Sequence, residues 1–249
     1  MLMTHLTPRP RHSQHGFNLV ELLLVSLLGG LILVAASQVY AALAQQQLRQ
    51  QLSLQLDHQA RLAELALIRD LAAASGVVAA GAASAGYPSG NQHSRQVNTS
   101  NGNGQSVSFH FQSATDSDWL LVQQPDTETH RLLSLWHRDQ KSQGWGLSHQ
   151  PAAAGSTIPS QTMIPEVELF RVRLQHTSGQ WQRPGQVNDW SSIRGIQFAL
   201  LLKSSQPLPG HQSTPFTLWQ ETLQPPQDQY LRILLVRSVH LQEVQHAAP

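Results

Sequence analysis

Residues 22–36 read L-L-L-V-S-L-L-G-G-L-I-L-V-A-A, with Ser26 the only polar side chain, and no charged residue stands between Glu21 and Arg49. Roughly 20 apolar residues at about 1.5 Å each span the ~30 Å hydrocarbon core of a bilayer, so this stretch predicts a membrane-spanning helix. Glu21 is the anomaly. A carboxylate in such a segment costs on the order of 2.5 to 3.5 kcal/mol on insertion scales and so marks a function that asks for a partner. The plainer alternative is a side chain that snorkels to the headgroups and does nothing specific.

The flank ahead of the run holds Arg9, Arg11, His5, His12 and His15 and no acid. A basic flank orients that end of a membrane helix to the cytoplasm, which puts everything after about residue 44 on the far side. A secretory signal peptide is the rival reading, with Val34-Ala35-Ala36 ahead of Ser37 offering a small-residue cleavage site. It has to accept an acid in its apolar core and a helical pattern that does not stop at Ala36.

Gly16-Phe17-Asn18-Leu19-Val20-Glu21 followed by the apolar run resembles the class III leader junction of type IV pilins and pseudopilins. The resemblance implies a scissile bond between Gly16 and Phe17, cut by prepilin peptidase, and N-methylation of the new terminus at Phe17. It makes Glu21 the glutamate five residues into the mature chain, whose carboxylate pairs with the methylated amine of a neighbouring subunit. Gly29-Gly30, each costing about 0.8 to 1 kcal/mol of helix propensity relative to Ala, have two readings. One is small-residue packing between membrane helices; the other is a weak point where the helix unwinds on passing from bilayer to filament.

Between Leu31 and Ser75 there is neither Gly nor Pro, and Ala, Leu, Gln and Arg dominate, so one continuous helix is expected with Gly76 as its stop. Beyond the membrane, Leu48, Leu52, Leu56, Ala63, Leu67 and Leu71 form one apolar stripe at helical spacing. Gln45, Gln46, Gln47, Gln50, Asp57, His58, Arg61 and Glu64 fall largely off it. The stripe should pack on a sheet of its own chain.

Residues 77–104, mostly Ala, Gly, Ser and Asn with a Tyr87-Pro88 pair, read as a long loop. From 105 onward the apolar residues recur with period two. Strands are expected at 107–111, 119–122 and 131–136, the last two joined by a polar turn at 125–129. A short piece at 144–147 and a loop at 150–160 come next. Residues 166–175 lead through Ser178-Gly179 to Trp181 as a hairpin, and 193–203 is a further strand. Residues 216–223 read as an edge strand between Pro215 and Pro225-Pro226, and 230–244 as the longest strand, central in its sheet. Strands following one long helix predict an α+β head with the helix across an antiparallel sheet. The order E-V-E-L-F-R-V-R-L, W-S-S-I-R-G-I-Q-F-A-L-L-L, L-R-I-L-L-V-R-S-V-H-L is similar to the C-terminal half of PilW-type minor pilins and of the J-type minor pseudopilin.

Chemistry is sparse. The absence of cysteine excludes disulfides, thiolate metal sites and a cysteine nucleophile. A net charge of +1 gives no field to steer nucleic acid. The 13 histidines form no H-x-x-x-H or H-E-x-x-H, and His110, His137, His149, His176 and His240 read as surface or internally satisfied groups. Asp116 and Asp118 could offer oxygens to calcium but are too few for a site. Trp119, Trp136, Trp145, Trp181, Trp190 and Trp219 read as packing rather than a ligand platform. No phosphate loop, nucleophile elbow or carboxylate pair is present, so neither an enzymatic role nor a cofactor is expected.

The expected division is a leader at 1–16, a transmembrane and filament-core helix at 17–44, an amphipathic helix at 45–75 and a β-rich periplasmic head at 76–249. By the resemblance, this is a minor pilin of the inner membrane and then the pilus. Its partners would be prepilin peptidase, the major pilin and other minor pilins, the inner-membrane assembly platform and the lipid bilayer, with no direct nucleic-acid contact. A minor pseudopilin of a type II secretion system shares every N-terminal feature. A membrane-anchored periplasmic binding protein with its ligand in the 77–104 loop would instead keep its N-terminus uncut.

Overall fold

A computed structural model describes residues 18–82, 93–100, 106–113, 117–124, 132–141, 144–153 and 156–241. The chain divides into two units, Met1–Gln47 and Leu48–Pro249. Helix α1, Leu19–Ala72, is the single α-helix among the described residues.

In the first unit α1 begins where Asn18 Oδ1 accepts from the Val20 amide at 3.4 Å, an N-cap contact that satisfies one orphan donor. Glu21 lies in the first turn, where negative charge suits the positive end of the helix dipole. Beyond it the apolar side chains are bare. Leu24 is 54% exposed, Ile32 68% and Leu33 72%, and the segment is long and apolar enough to cross a membrane. Among the described residues there is therefore one helix compatible with a single-pass anchor.

In the second unit α1 is amphipathic as its spacing predicts. Leu52, Leu56, Ala63, Leu67 and Leu71 are buried, Leu48 is half-buried, and Ala60 completes the stripe. The helix ends at Ala72 rather than Ser75, because the Ser75 amide is taken by the Gln123 carbonyl and Gly76 already opens a strand.

The first sheet contains β1 (Gly76–Ala82), β4 (Asp118–Gln124), β5 (Leu132–Lys141), β6 (Gly144–Ala153) and β7 (Ser156–Thr157) in that order, with β8 (Gln161–Pro165) also paired to β6. The second contains β10 (Trp181–Gln182), β9 (Val167–His176), β11 (Ile193–Pro207) and β14 (Tyr230–His240) in that order. All pairings are antiparallel. Two hairpins complete the described strands: β2 (His93–Ser100) with β3 (Ser106–Ser113), and β12 (Phe216–Leu218) with β13 (Glu221–Leu223). The class is α+β.

Alternation along the strands assigns each face. Leu120, Val122 and Trp136 of the first sheet, and Phe170, Val172, Phe198, Leu200 and Leu202 of the second, join Leu56, Ala63, Leu67 and Leu71 of the helix in one core. On the opposite face of the first sheet, Trp119, Leu121, Leu133 and Leu135 pack under Val107, Phe109 and Phe111 of β3. On the opposite face of the second, Leu169, Ala199 and Leu201 pack under Leu218 and Phe216. Each sheet is thus covered twice, by α1 on one side and a hairpin on the other, which removes most of its apolar surface from water.

Four expectations need correction. The described parts of the expected 77–104 loop are strands β1 and β2: Ala and Gly have weak β propensity, but β4 offers β1 a ladder from Gly76–Gln123 to Ala82–Asp118, irregular only at Val78. Residues 144–147 and 150–153 form one ten-residue strand, because Gly146 lets β8 come close: a Cβ there would fall 2.6 Å from Thr162 Cγ2. Residues 216–223 are a hairpin rather than one strand, turning at Trp219-Gln220. Among the described residues β14 is neither the longest strand nor central; there it pairs only with the 15-residue β11, which is apolar on both faces, whereas Arg232, Arg237, Ser238 and His240 give β14 the polar character of an edge. The expected turn at 125–129 lies outside the described residues.

Candidate functional site

Gly16 and Phe17 lie outside the described residues. Glu21 is exposed on the first turn, one step along the helix from the bare apolar surface. Gly29 and Gly30 continue the helix without a break, and a Cβ built on either meets nothing within 4 Å. Among the described residues nothing packs against them, and both readings of the pair invoke another molecule.

A polar constellation that brings Ser, His and Asp together lies where α1 meets the first sheet. Asp70 Oδ2 accepts from Ser134 Oγ at 2.9 Å and from Trp136 Nε1 at 2.5 Å, while Gln124 Nε2 donates to Oδ1. His149 Nε2 meets the Ser134 hydroxyl and lies 3.7 Å from Asp70 Oδ2, with its ring 4.5 Å from that of Trp136. Ser, His and Asp are together here, yet not in the geometry of a nucleophile relay. In a relay the acid holds one imidazole nitrogen while the other faces the hydroxyl. Here Asp70 and Ser134 both meet Nε2, and the hydroxyl proton goes to the carboxylate. The cluster ties helix to sheet.

Burial pushes the His149 imidazole below its ordinary value of 6.5, partly opposed by the Asp70 charge. A histidine harder to protonate folded than unfolded contributes its full stability above pH 6.5 and loses it as pH falls through the window below. A carboxylate works in the same direction further down. Hydrogen bonds from Arg232 hold Asp228 down from 3.8 to about 2, so its contribution fades as pH falls across that interval. Arg232 itself is 2% exposed and paired bidentately with Glu168, at 2.6 and 2.9 Å. Thermal stability is expected to fall in two stages on acidification. His149→Gln should flatten the first stage and leave the second, as read from melting temperatures between pH 8 and pH 2.

The remaining candidates sort by environment. Asp118 is buried, with Oδ2 accepting from the Val172 amide at 2.7 Å, so it joins β4 to β9 instead of facing a cation. Asp116 lies outside the described residues. Among the described residues no three His, Asp or Glu side chains are placed to hold a metal ion. His137 is fully buried and His149 half-buried, while His110 and His240 are exposed and His176 half-buried.

The tryptophans divide in the same way. Trp119 and Trp136 are core residues. Trp181 and Trp219 are half-buried and flank Arg173, whose Cζ lies 4.9 Å from each ring centroid. Trp219 and Gln220 both have positive φ, 55° and 113°, in the two-residue connection of β12 to β13. Such a turn favours Asn-Gly, and a non-glycine residue held there costs of order 1–3 kcal/mol. Sequence reasoning placed these rings in packing, and only the spatial meeting of β9, β10 and the turn reveals the cluster.

No family model, curated protein or solved structure matches this chain.

Proposed function

We propose that the chain is a minor type IV pilin, a structural subunit that is cleaved between Gly16 and Phe17, N-methylated at Phe17, held in the inner membrane by its apolar helix, and drawn from there into a pilus. One combination carries the reading: G-F-x-x-x-E stands directly ahead of an exposed apolar helix, and that same helix continues as the core element of an antiparallel β head.

The physical logic is that the two halves of α1 have different solvents. The head half buries its apolar stripe in its own chain. The N-terminal half leaves Leu22, Leu28, Leu31 and Leu33 more than half exposed, so it requires lipid or other apolar helices, and a filament core supplies the second when the subunit leaves the first. Glu21 then meets the charged amine of a neighbour, and each charge makes burial of the other tolerable. Prepilin peptidase, the major pilin, companion minor pilins and the inner-membrane platform are the partners this role requires. The head lies on the periplasmic side, opposite the basic flank.

Mass spectrometry of the mature terminus tests the reading. The chain purified from membranes should begin at N-methylated Phe17, and from cells lacking prepilin peptidase it should retain residues 1–16. A protein that keeps Met1 in both backgrounds, or begins at Ser37, is not a pilin.

A further inference from the structure

The turn carrying Trp219 and Gln220, the edge strand β10 and the outer face of β9 enclose a cleft of about 530 Å³ lined by Arg173, Trp181, Gln182, Arg183, Gln186, Trp219, Gln220 and Glu221. Its centre is Arg173. Nε donates to Gln197 Oε1 at 2.6 Å, and Gln197 Nε2 in turn donates to Ser238 Oγ at 2.7 Å on β14, so the guanidinium is aimed by a relay across three strands. The indoles of Trp181 and Trp219 both lie against it, each ring centroid 4.9 Å from Cζ. Among the described residues no carboxylate pairs with it, in contrast to Arg183, which Glu221 takes. Burial without a counter-charge lowers its pKa. The Trp219 Nε1–H is likewise buried without an acceptor among the described residues.

A guanidinium with fixed orientation and open terminal nitrogens presents the fork that recognises a planar oxyanion, bidentately, better than any other side chain. Two half-exposed indoles beside it offer flat apolar faces. Around them stand Gln182, Gln186 and Gln220, amides that donate and accept at once and so suit vicinal hydroxyls. A ligand that answers all three features has one carboxylate, a ring with an apolar face and several hydroxyls. We propose that this cleft binds an acidic saccharide through a uronic-acid residue, its carboxylate on Arg173 and its ring against Trp181 and Trp219. A nucleic acid fits less well: phosphodiester binding needs a track of cations, and the cleft holds one unpaired cation beside Glu221. Left-handed backbone at Trp219 and Gln220 is the kind of strain that a binding site retains. The site lies wholly in the head and stands whether or not the leader is cut.

The test uses the full chain in detergent micelles, with calorimetry and tryptophan fluorescence as readouts. Tetragalacturonate and a hyaluronan tetrasaccharide are the probes, with maltotetraose and an oligothymidylate as comparisons. At least one acidic tetrasaccharide should bind saturably. Arg173→Gln and Trp181→Ala should each weaken it tenfold or more, with Trp181→Phe recovering most of the loss; Trp181 sits on a two-residue edge strand, so its variants keep the test alive should Arg173→Gln not fold. Failure of both acidic probes to saturate overturns the site, as does unchanged affinity in the Trp181→Ala protein. Equal affinity for maltotetraose overturns the carboxylate assignment, and tighter binding of the oligothymidylate overturns the saccharide in favour of nucleic acid.

Discussion

Asp70→Ala is expected to destabilise the head by about 2–4 kcal/mol. The carboxylate is 12% exposed and accepts from Gln124, Ser134 and Trp136, three donors on two strands. Removing it leaves the Trp136 indole N–H, on a side chain 2% exposed, with no acceptor. Ser134 can turn its proton to His149 and Gln124 can reach solvent, so the loss falls mainly on Trp136 and on the anchoring of the helix. For a domain of this size each kcal/mol moves the melting temperature by roughly 2–4 °C, so a fall of about 10 °C is expected. Ser134→Ala should cost only about 1 kcal/mol, because Asp70 keeps its other donors. A thermal melt followed by circular dichroism at pH 8, where His149 is neutral, separates these. An Asp70→Ala protein melting within 2 °C of wild type would mean that the cluster contributes nothing to holding α1 on the sheet.

Asp70 also marks where sequence reasoning stops. The helix and its stripe were legible because Leu52, Leu56, Ala63, Leu67 and Leu71 repeat at a period that needs no knowledge of the rest of the chain. Strands β9, β11 and β14 were legible one by one from their alternation, as was the Ser178-Gly179 turn, but not their order in the sheet. One miss was local, the turn at Trp219-Gln220, which lacks the Asn or Gly that marks such a connection; the other failures depend on a partner distant in sequence. β1 is a strand because β4 lies beside it; Gly146 signals close approach only once β8 is known to arrive there. β14 looks central until β11, with two apolar faces, takes that place. Site chemistry follows the same rule. Glu21 stands out alone, since a charge against an apolar run is a local contradiction. Arg173, Trp181 and Trp219 contradict nothing locally, and their meaning exists only where three elements converge.

Glu21→Gln is expected to leave cleavage at Gly16-Phe17 intact and to reduce recovery of the subunit in sheared pili by a hundredfold or more. The substitution is chosen because Glu21 has a second, purely local explanation: an acid in the first turn of α1, behind the Asn18 cap, favours the helix by about 0.3–1 kcal/mol. Glutamine keeps the size and the hydrogen bonding while removing the charge, so a local role predicts a change of only a few fold. An intersubunit ion pair predicts much more, because breaking a buried pair strands the other charge at a cost of about 3–5 kcal/mol, roughly two to three and a half orders of magnitude in an equilibrium. The neighbour's methylated amine would be that stranded charge. Immunoblots of membrane and sheared fractions read the difference, and the mass of the membrane form shows whether processing occurred. Normal recovery of the Glu21→Gln subunit in pili, with its terminus correctly cut, would reduce Glu21 to a helix-start residue and take the assembly role from it.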